Sequence, residues 1–281
     1  MARALGCLVL LGALALGVYL LWPRDRRPLT ALLPQDVYVV ELVRLDELEH
    51  PGAVSRFDVD PEGCPALLAG RALVVLGADG RRTPETIRLR NEYGIDDFAW
   101  MDDGSLLAIS GQTLLELTGT GMKNVQVLPE GSMRVRPASA GQCYLFGGYA
   151  LYLYRKGGDI LEVLRAESEI GAVAGDGEFT FVAIDRSVYL MAPEQPLTLV
   201  CRAERPIRSL ALGPSSVLFY ATDDSVGIST GPGHWVEFLQ GRGGEIRVRG
   251  ETLYLFSRSQ GLMSFHPVSR LVRMAEKAED T

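Results

Sequence analysis

Lysine, asparagine and histidine are all scarce in this 281-residue chain, which holds Lys123, Lys156 and Lys277, Asn91 and Asn124, and three His. The other 25 basic residues are Arg. So few imidazoles argue against a His-rich metalloenzyme. Four scattered Cys argue against a disulfide-stapled secreted module. Cys64, Cys143 and Cys201 fall in or beside predicted strands, where a thiol acts as a small buried hydrophobe. Charge of one sign is also short. Residues 28–281 carry 24 basic and 34 acidic side chains, a net charge of about −10, which argues against a nucleic-acid binder and confines any anion site to a local feature. Apolar material is plentiful at 47%, enough for one large domain or two ordinary ones and against disorder.

The first apolar run is Ala4 to Trp22, 19 residues without a charge. As a helix it measures ~28 Å, close to the ~30 Å of a bilayer core, and it predicts one transmembrane helix over residues 1–22. The run ends in Tyr19-Leu20-Leu21-Trp22-Pro23 and an Arg cluster instead of a small-residue cleavage point, so an uncleaved anchor is expected. Leu5-Gly6-Cys7 resembles a lipoprotein box but precedes the apolar run, whereas such a box belongs after it, and lipidation is not expected. Residues 23–36 form a Pro- and Arg-rich linker. Arg24, Arg26 and Arg27 after the span outnumber Arg3 before it and favour a cytoplasmic body, whereas a short basic leader with one Leu/Ala span exports the domain behind it. The expectation adopted is an extracytoplasmic body, with the cytoplasmic side as the alternative.

A repeat organises the rest. Apolar anchors open similar segments at Val54, Ile95, Met133, Ile170, Ile207 and Ile246, spaced by 41, 38, 37, 37 and 39 residues. Each anchor leads to a second β-rich run (ALLAG from Ala66, LLAIS from Leu106, CYLFG from Cys143, FTFVA from Phe179, VLFYA from Val217, LYLFS from Leu253). A third comes after a short turn, for example ALYLY from Ala150, and a fourth closes each unit, the last being RLVRM from Arg270. Four short strands in each of six units predict an all-β, six-bladed β-propeller of four-stranded antiparallel blades over residues 37–281. A doubly wound sheet would need helical stretches that the intervals lack, and a sandwich leaves the regular spacing unexplained.

The DDGSLLA segment from Asp102, with DPEGCPALLA from Asp60, SAGQCYLFG from Ser139 and GDGEFTFVA from Gly175, resembles the first-to-second-strand turn of six-bladed propellers of the NHL, TolB and SMP-30-like group. The resemblance covers about residues 54–281 and lies at the level of architecture. It does not extend to WD40 repeats, whose Gly-His and Trp-Asp pairs do not recur, nor to sialidase Asp boxes or the tryptophan-docking motif of quinoprotein propellers. Lactonases of the SMP-30-like type hold a divalent cation through Glu, Asn and Asp. Here only Asn91 could approach the axis, so no metal site and no cofactor is expected. Val37 to Leu45 precedes the first unit and is expected on the outer edge of the last blade, beside Arg270 to Met274 or in place of that blade's fourth strand.

Gly227-Ile228-Ser229-Thr230-Gly231 fits the Gly-x-Ser-x-Gly hydrolase pattern, but it falls between two strands where the mechanism needs a strand-to-helix turn, so a hairpin is expected. The residue after each anchor (Ser55, Asp96, Arg134, Gly171, Arg208, Arg247) should ring one mouth of the central channel. Arg134, Arg208, Arg247 and Asp96 are the candidate site there. Clustered guanidiniums suit a carboxylate or phosphate, and the plainer reading is that they pair with Asp96, Asp97 or Glu245. The turns between second and third strands should share that face and add Arg71, Tyr149, Arg186 and Arg258, with Gln112, Asp185, Asp223, Asp224 and Gln260 nearby. The function expected is a membrane-tethered, non-catalytic protein-binding or scaffold module for another envelope protein. The alternatives are a lactonase-type propeller enzyme and a sensor for a small anionic ligand.

Overall fold

The structure, a computed structural model, describes residues 33–34, 36–44, 54–70, 72–77, 82–88, 94–118, 121–131, 133–139, 141–177, 179–192 and 195–279. The Ala4–Trp22 span and Arg71 lie outside these residues. Among the described residues no helix is long and apolar enough to cross a membrane.

Among the described residues a strand β1 (Tyr38–Val43) comes first, and six sheets of four antiparallel strands contain all the strands. Blade 1 holds β2 (Val54–Val59), β3 (Pro65–Ala69), β4 (Ala72–Leu76) and β5 (Arg82–Arg88). Blade 2 holds β6 (Asp97–Trp100), β7 (Leu106–Ser110), β8 (Thr113–Thr118) and β9 (Gly121–Val127). Blade 3 holds β10 (Arg134–Ser139), β11 (Gln142–Gly147), β12 (Ala150–Arg155) and β13 (Ile160–Arg165). Blade 4 holds β14 (Ile170–Gly175), β15 (Thr180–Ile184), β16 (Ser187–Met191) and β17 (Thr198–Arg202). Blade 5 holds β18 (Ser209–Leu212), β19 (Leu218–Ala221), β20 (Ser225–Gly231) and β21 (His234–Gln240). Blade 6 holds β22 (Glu245–Arg249), β23 (Thr252–Ser257) and β24 (Gly261–His266), and its fourth strand is β1. The first strand of every blade lies innermost, and these six pack round in sequence until β22 meets β2.

The segment Arg270 to Met274, expected as a strand, belongs to helix α1 (Val268–Glu279). Val268, Leu271 and Ala275 are its buried residues, a spacing of three and four that puts them on one helical face, turned toward blade 5. The outer place in blade 6 is taken by β1, paired with β24 from Tyr38 opposite His266 to Val43 opposite Leu262. The two ends of the ring are thus joined by a ladder of main-chain hydrogen bonds, and the edge that β24 would expose is covered.

Second and third strands are apolar almost throughout because their sheets are covered on both faces. All five residues of β7 are buried, and so are all four of β19. The buried side chains gather between adjacent blades. Tyr152 and Tyr154 of blade 3 pack with Leu107, Ile109 and Leu114 of blade 2, and Phe57 of blade 1 meets Phe256 of blade 6 at 5.7 Å. Outer strands are wetter, as in β13, where Leu161 and Val163 face solvent. Where β15 turns into β16, Asp185 has φ 52°, the left-handed conformation that Gly111 and Gly148 supply in the same turn of blades 2 and 3.

Cys143 and Cys201 are buried in these inter-blade layers, and burial pushes both thiols up to about 12. Iodoacetamide at pH 8 should leave both unmodified in the native protein and alkylate both in urea, as read by peptide mass spectrometry. Since the native thiols keep their protons while unfolded ones ionise near ~8.5, both residues also subtract stability as pH rises from there toward 12.

Candidate functional site at the mouth of the central channel

The inner strands place charged side chains along the channel at alternate positions, because successive residues of a strand face opposite ways. Blade 1 contributes Arg56 and Asp58, blade 2 Asp97, blade 3 Arg134 and Arg136, and blade 6 Glu245, Arg247 and Arg249. These sit in otherwise apolar strands, for example VSRFDV and EIRVR.

Their geometry is that of a plug. Arg247 Nε is 2.6 Å from Asp58 Oδ1, and its other nitrogens donate to the carbonyls of Ile246 (2.7 Å) and Phe57 (3.3 Å). Asp58 Oδ2 accepts the Trp100 N–H at 2.7 Å. Asp97 Oδ2 accepts Val135 N–H at 3.0 Å and Arg136 Nη1 at 2.9 Å. Glu245 Oε1 lies 3.3 Å from both Arg56 and Arg134. Asp58 and Asp97 are buried, as are Arg136 and Arg247. Each of these ion pairs crosses from one blade to another, so the plug ties the inner strands together. Burial works against the Arg136 charge, but Asp97, Glu245 and Asp58 together hold its pKa above the ordinary value. Burial and the neighbouring Arg136 pull Arg247 down, and they bring Arg134 to about 10, so Arg134 remains protonated at neutral pH.

Above the plug two depressions open on the face where the inner strands begin. One, of about 640 Å3, lies against Arg56, Asp96, Gln112, Arg134, Gly148, Glu169, Gly171 and Arg208. The other, of about 480 Å3, lies against Ser55, Arg56, Arg134, Arg208, Asp223, Glu245, Ser257, Arg258 and Ser259. Arg56, Arg134 and Arg208 line both. A Cβ on Gly171 would lie 2.3 Å from the Ile207 carbonyl oxygen, so blade 4 adds no side chain at that position and the mouth is lopsided. A smaller cavity of about 120 Å3, bounded by Asp58, Arg136, Arg247 and Arg249, lies at the opposite end of the channel.

Of the four residues expected to converge at the mouth, Arg134, Arg208 and Asp96 line it. Arg247 does not: it is buried within the plug. Asp96 is exposed on the wall, where Oδ2 accepts the Gly111 N–H at 2.7 Å. The residues that reach the channel in blades 1 and 2 are Arg56 and Asp97, one position beyond Ser55 and Asp96. In blade 1 a β-bulge between Val54 and Arg56 shifts the register, and a one-residue slip turns every side chain to the other face. Of the turn residues, Gln112, Asp223 and Arg258 line the mouth, and Tyr149 stands 56% exposed beside it. Arg186 pairs with Asp185 at 3.5 Å. Arg56, Asp58 and Arg136 escape a search at fixed distance from the anchors. Their sequence signal is a charge at alternate positions within a buried strand.

Among the described residues no three His, Cys, Asp or Glu side chains gather as a metal site. Ser229 is buried within β20, its hydroxyl donating to the Gly231 carbonyl at 3.0 Å, and after a register shift between Ser229 and Gly231 the strand turns into the hairpin with β21. It has neither the exposure nor the strained turn of a nucleophile. Asn91 lies outside the described residues, and Asn124 is exposed on outer strand β9.

No protein-family model and no curated protein matches this chain. Solved structures do. A candidate gluconolactonase is 12% identical with a TM-score of 0.64, over 83% of this chain and 93% of that one. A catalytically inactive virginiamycin B lyase from Staphylococcus aureus with quinupristin is 14% identical at 0.58, over 78% and 83%. The WD40 repeats of RRP9 are 13% identical at 0.55, over 84% and 85%. This chain shares the ring with a WD40 propeller although the WD40 pairs do not recur in its sequence, so these likenesses concern the fold. The chain is a six-bladed β-propeller, similar in architecture to the NHL and SMP-30-like group.

Proposed function

We propose that this chain is a non-catalytic binding module that contacts another protein of the cell envelope through its funnel face. In this reading Ala4–Trp22 tethers it to the membrane and the propeller lies on the extracytoplasmic side. The observation that carries the reading is the division of labour in the channel. Below the mouth the carboxylates of Asp58, Asp97 and Glu245 are all held by guanidiniums. Above it lies an open, polar, lopsided surface edged by Tyr149 and Arg258. Tyr and Arg give large contact area with polar tips and are common anchors of protein interfaces.

The gluconolactonase-like and lyase neighbours supply a fold that also hosts chemistry, and fold alone does not transfer it. Both described histidines, His234 and His266, are exposed at strand ends and are absent from the residues lining the mouth.

A photocrosslinking amino acid at Tyr149 of the full chain should give a discrete adduct in carbonate-washed membranes. The same amino acid at Leu161, exposed on an outer strand, should give none. Adducts from Leu161 alone, or recovery of the chain only in the soluble fraction, would overturn the reading.

A further inference from the structure

We propose that the funnel mouth binds one oxyanion, a carboxylate or a phosphate, in the depression between blades 5, 6 and 1, where Arg208 and Arg258 converge above Arg56 and Arg134. The proposal rests on the funnel face being the contact surface and names the chemical group that the surface accepts.

The first observation is a charge imbalance. Four guanidiniums, Arg56, Arg134, Arg136 and Arg247, surround the three carboxylates Asp58, Asp97 and Glu245 in the plug. Charges this far from water need partners, and here one cation is in excess. The excess lies toward the mouth: Asp58 holds Arg247, Asp97 is shared by Arg136 at 2.9 Å and Arg56 at 3.4 Å, and Arg134 has only Glu245, which it shares with Arg56.

The second is supply of unused donors. Arg208 has one ion pair, with Asp223 at 3.5 Å, and both side chains are largely exposed, so water screens it. Arg258 makes no ion pair among the described residues, and it shares the depression with Arg208 and with the hydroxyls of Ser257 and Ser259. Two carboxylates line the same depression. Glu245 is already committed to Arg56 and Arg134, and Asp223 stands 70% exposed at the rim. Four Arg against two acids leave the depression positive within an acidic body.

Third, the shape favours this side. The neighbouring depression contains Asp96 and Glu169 beside the three Arg that both share and has no fourth Arg, which leaves that half less positive. On the favoured half the wall between the blades is Gly243-Gly244. Gly244 has φ 145°, and a Cβ there would lie 2.2 Å from the Phe256 carbonyl oxygen. The backbone is therefore held close without a side chain that would fill the space. Guanidiniums bind carboxylate and phosphate oxygens two at a time, and hydroxyls complete such a shell.

The test is thermal unfolding of the full detergent-solubilised chain with inorganic phosphate and, separately, succinate, against chloride at matched ionic strength. The expected result is a saturable rise in Tm, of about 5 °C or more at a hundred-fold excess over Kd. It should be lost in the double variant Arg208→Gln/Arg258→Gln and kept in Arg202→Gln on outer strand β17. A rise linear in concentration and equal in all three proteins marks salt exclusion or an adventitious ion only, and overturns the proposal. The Tyr149 crosslink separates the two readings. Saturable stabilisation without an adduct upholds the anion site and removes the protein partner, whereas an adduct without stabilisation does the reverse. Where both occur, loss of the adduct in phosphate or succinate assigns the oxyanion to an acidic group of the partner, and an unchanged adduct assigns it to a free small anion.

Discussion

Asp58→Ala should destabilise the propeller by about 3–5 kcal/mol, the cost of removing one partner from a buried, hydrogen-bonded ion pair. The carboxylate is 2% exposed and serves three blades at once. From blade 1 it holds Arg247 of blade 6 at 2.6 Å and the Trp100 N–H of blade 2 at 2.7 Å. Truncation leaves a guanidinium and a main-chain donor without their acceptor where water does not reach easily. The face of Phe57, 5.2 Å from the guanidinium carbon, offsets little of that. By contrast, Arg165 and Glu162 come equally close at 2.6 Å but are 55% and 40% exposed, and Glu162→Ala should leave the urea midpoint nearly unchanged, because solvent screens the pair. Equilibrium urea unfolding of the two variants makes the comparison. A second variant, Asp58→Leu/Arg247→Met, separates the lost pair from the stranded charge, because replacing both ions by apolar groups should recover most of the loss. If Asp58→Ala stays within about 1 kcal/mol of the parent chain, the plug does not hold the inner strands together.

The same magnitudes order the remaining channel residues. Asp97 joins Val135 and Arg136 of blade 3 from blade 2, so it belongs with Asp58 as a tie between blades. Arg134 also ties blades, donating to the Gly171 and Arg208 carbonyls at 3.1 and 3.3 Å, yet its side chain keeps 22% exposure at the mouth. It is a positioning residue for the surface that Arg208 and Arg258 present. Its lowered pKa is a cost of folding at neutral pH: between about 10 and the higher value of an unfolded arginine the unfolded chain binds more protons. Stability from this group therefore rises with pH across that window.

The ring was legible because propeller repeats impose a spacing that survives divergence. The six anchors fall in or within two residues of the six inner strands, and the second and third apolar runs coincide with the second and third strands of every blade. Arg270 to Met274 shows why short windows mislead. Five residues with three apolar members read equally as strand or helix, and Val268, Leu271, Val272 and Ala275 reveal the helical period only over a longer stretch. The site was legible as a location but less so as a constellation. Arg247 and Asp58 meet across 189 positions, and which charges pair across a channel depends on how the ring closes. The bulge in blade 1 then moved the inward position from Ser55 to Arg56, a shift that no spacing rule anticipates.

The ring's closure should be its most sensitive joint, and Gly261→Ala tests it. Gly261 opens β24 with φ 93°, a conformation costing an L-residue roughly 1–2 kcal/mol. A Cβ there would also lie 2.1 Å from the Val43 carbonyl oxygen of β1. That neighbour is backbone, anchored by the pairing of Val43 with Leu262 and by the burial of Val43, so relief means moving the closing strand. Strain and overpacking together should cost about 2–5 kcal/mol. Gly250→Ala is the control, since Gly250 has φ 54° but nothing within 4 Å of a Cβ. It should show the conformational cost alone. Hydrogen exchange adds a local readout. In Gly261→Ala the amides of Tyr38–Val43 and Gly261–His266 should lose protection before those of blades 2 to 4, because freeing β1 uncovers the edge of β24 and leaves the rest of the ring paired. The uncovered edge should also make this variant aggregate on mild heating, where Gly250→Ala does not. Equal destabilisation of the two variants, with protection lost uniformly around the ring, would show that the pairing of β1 with β24 does not limit stability.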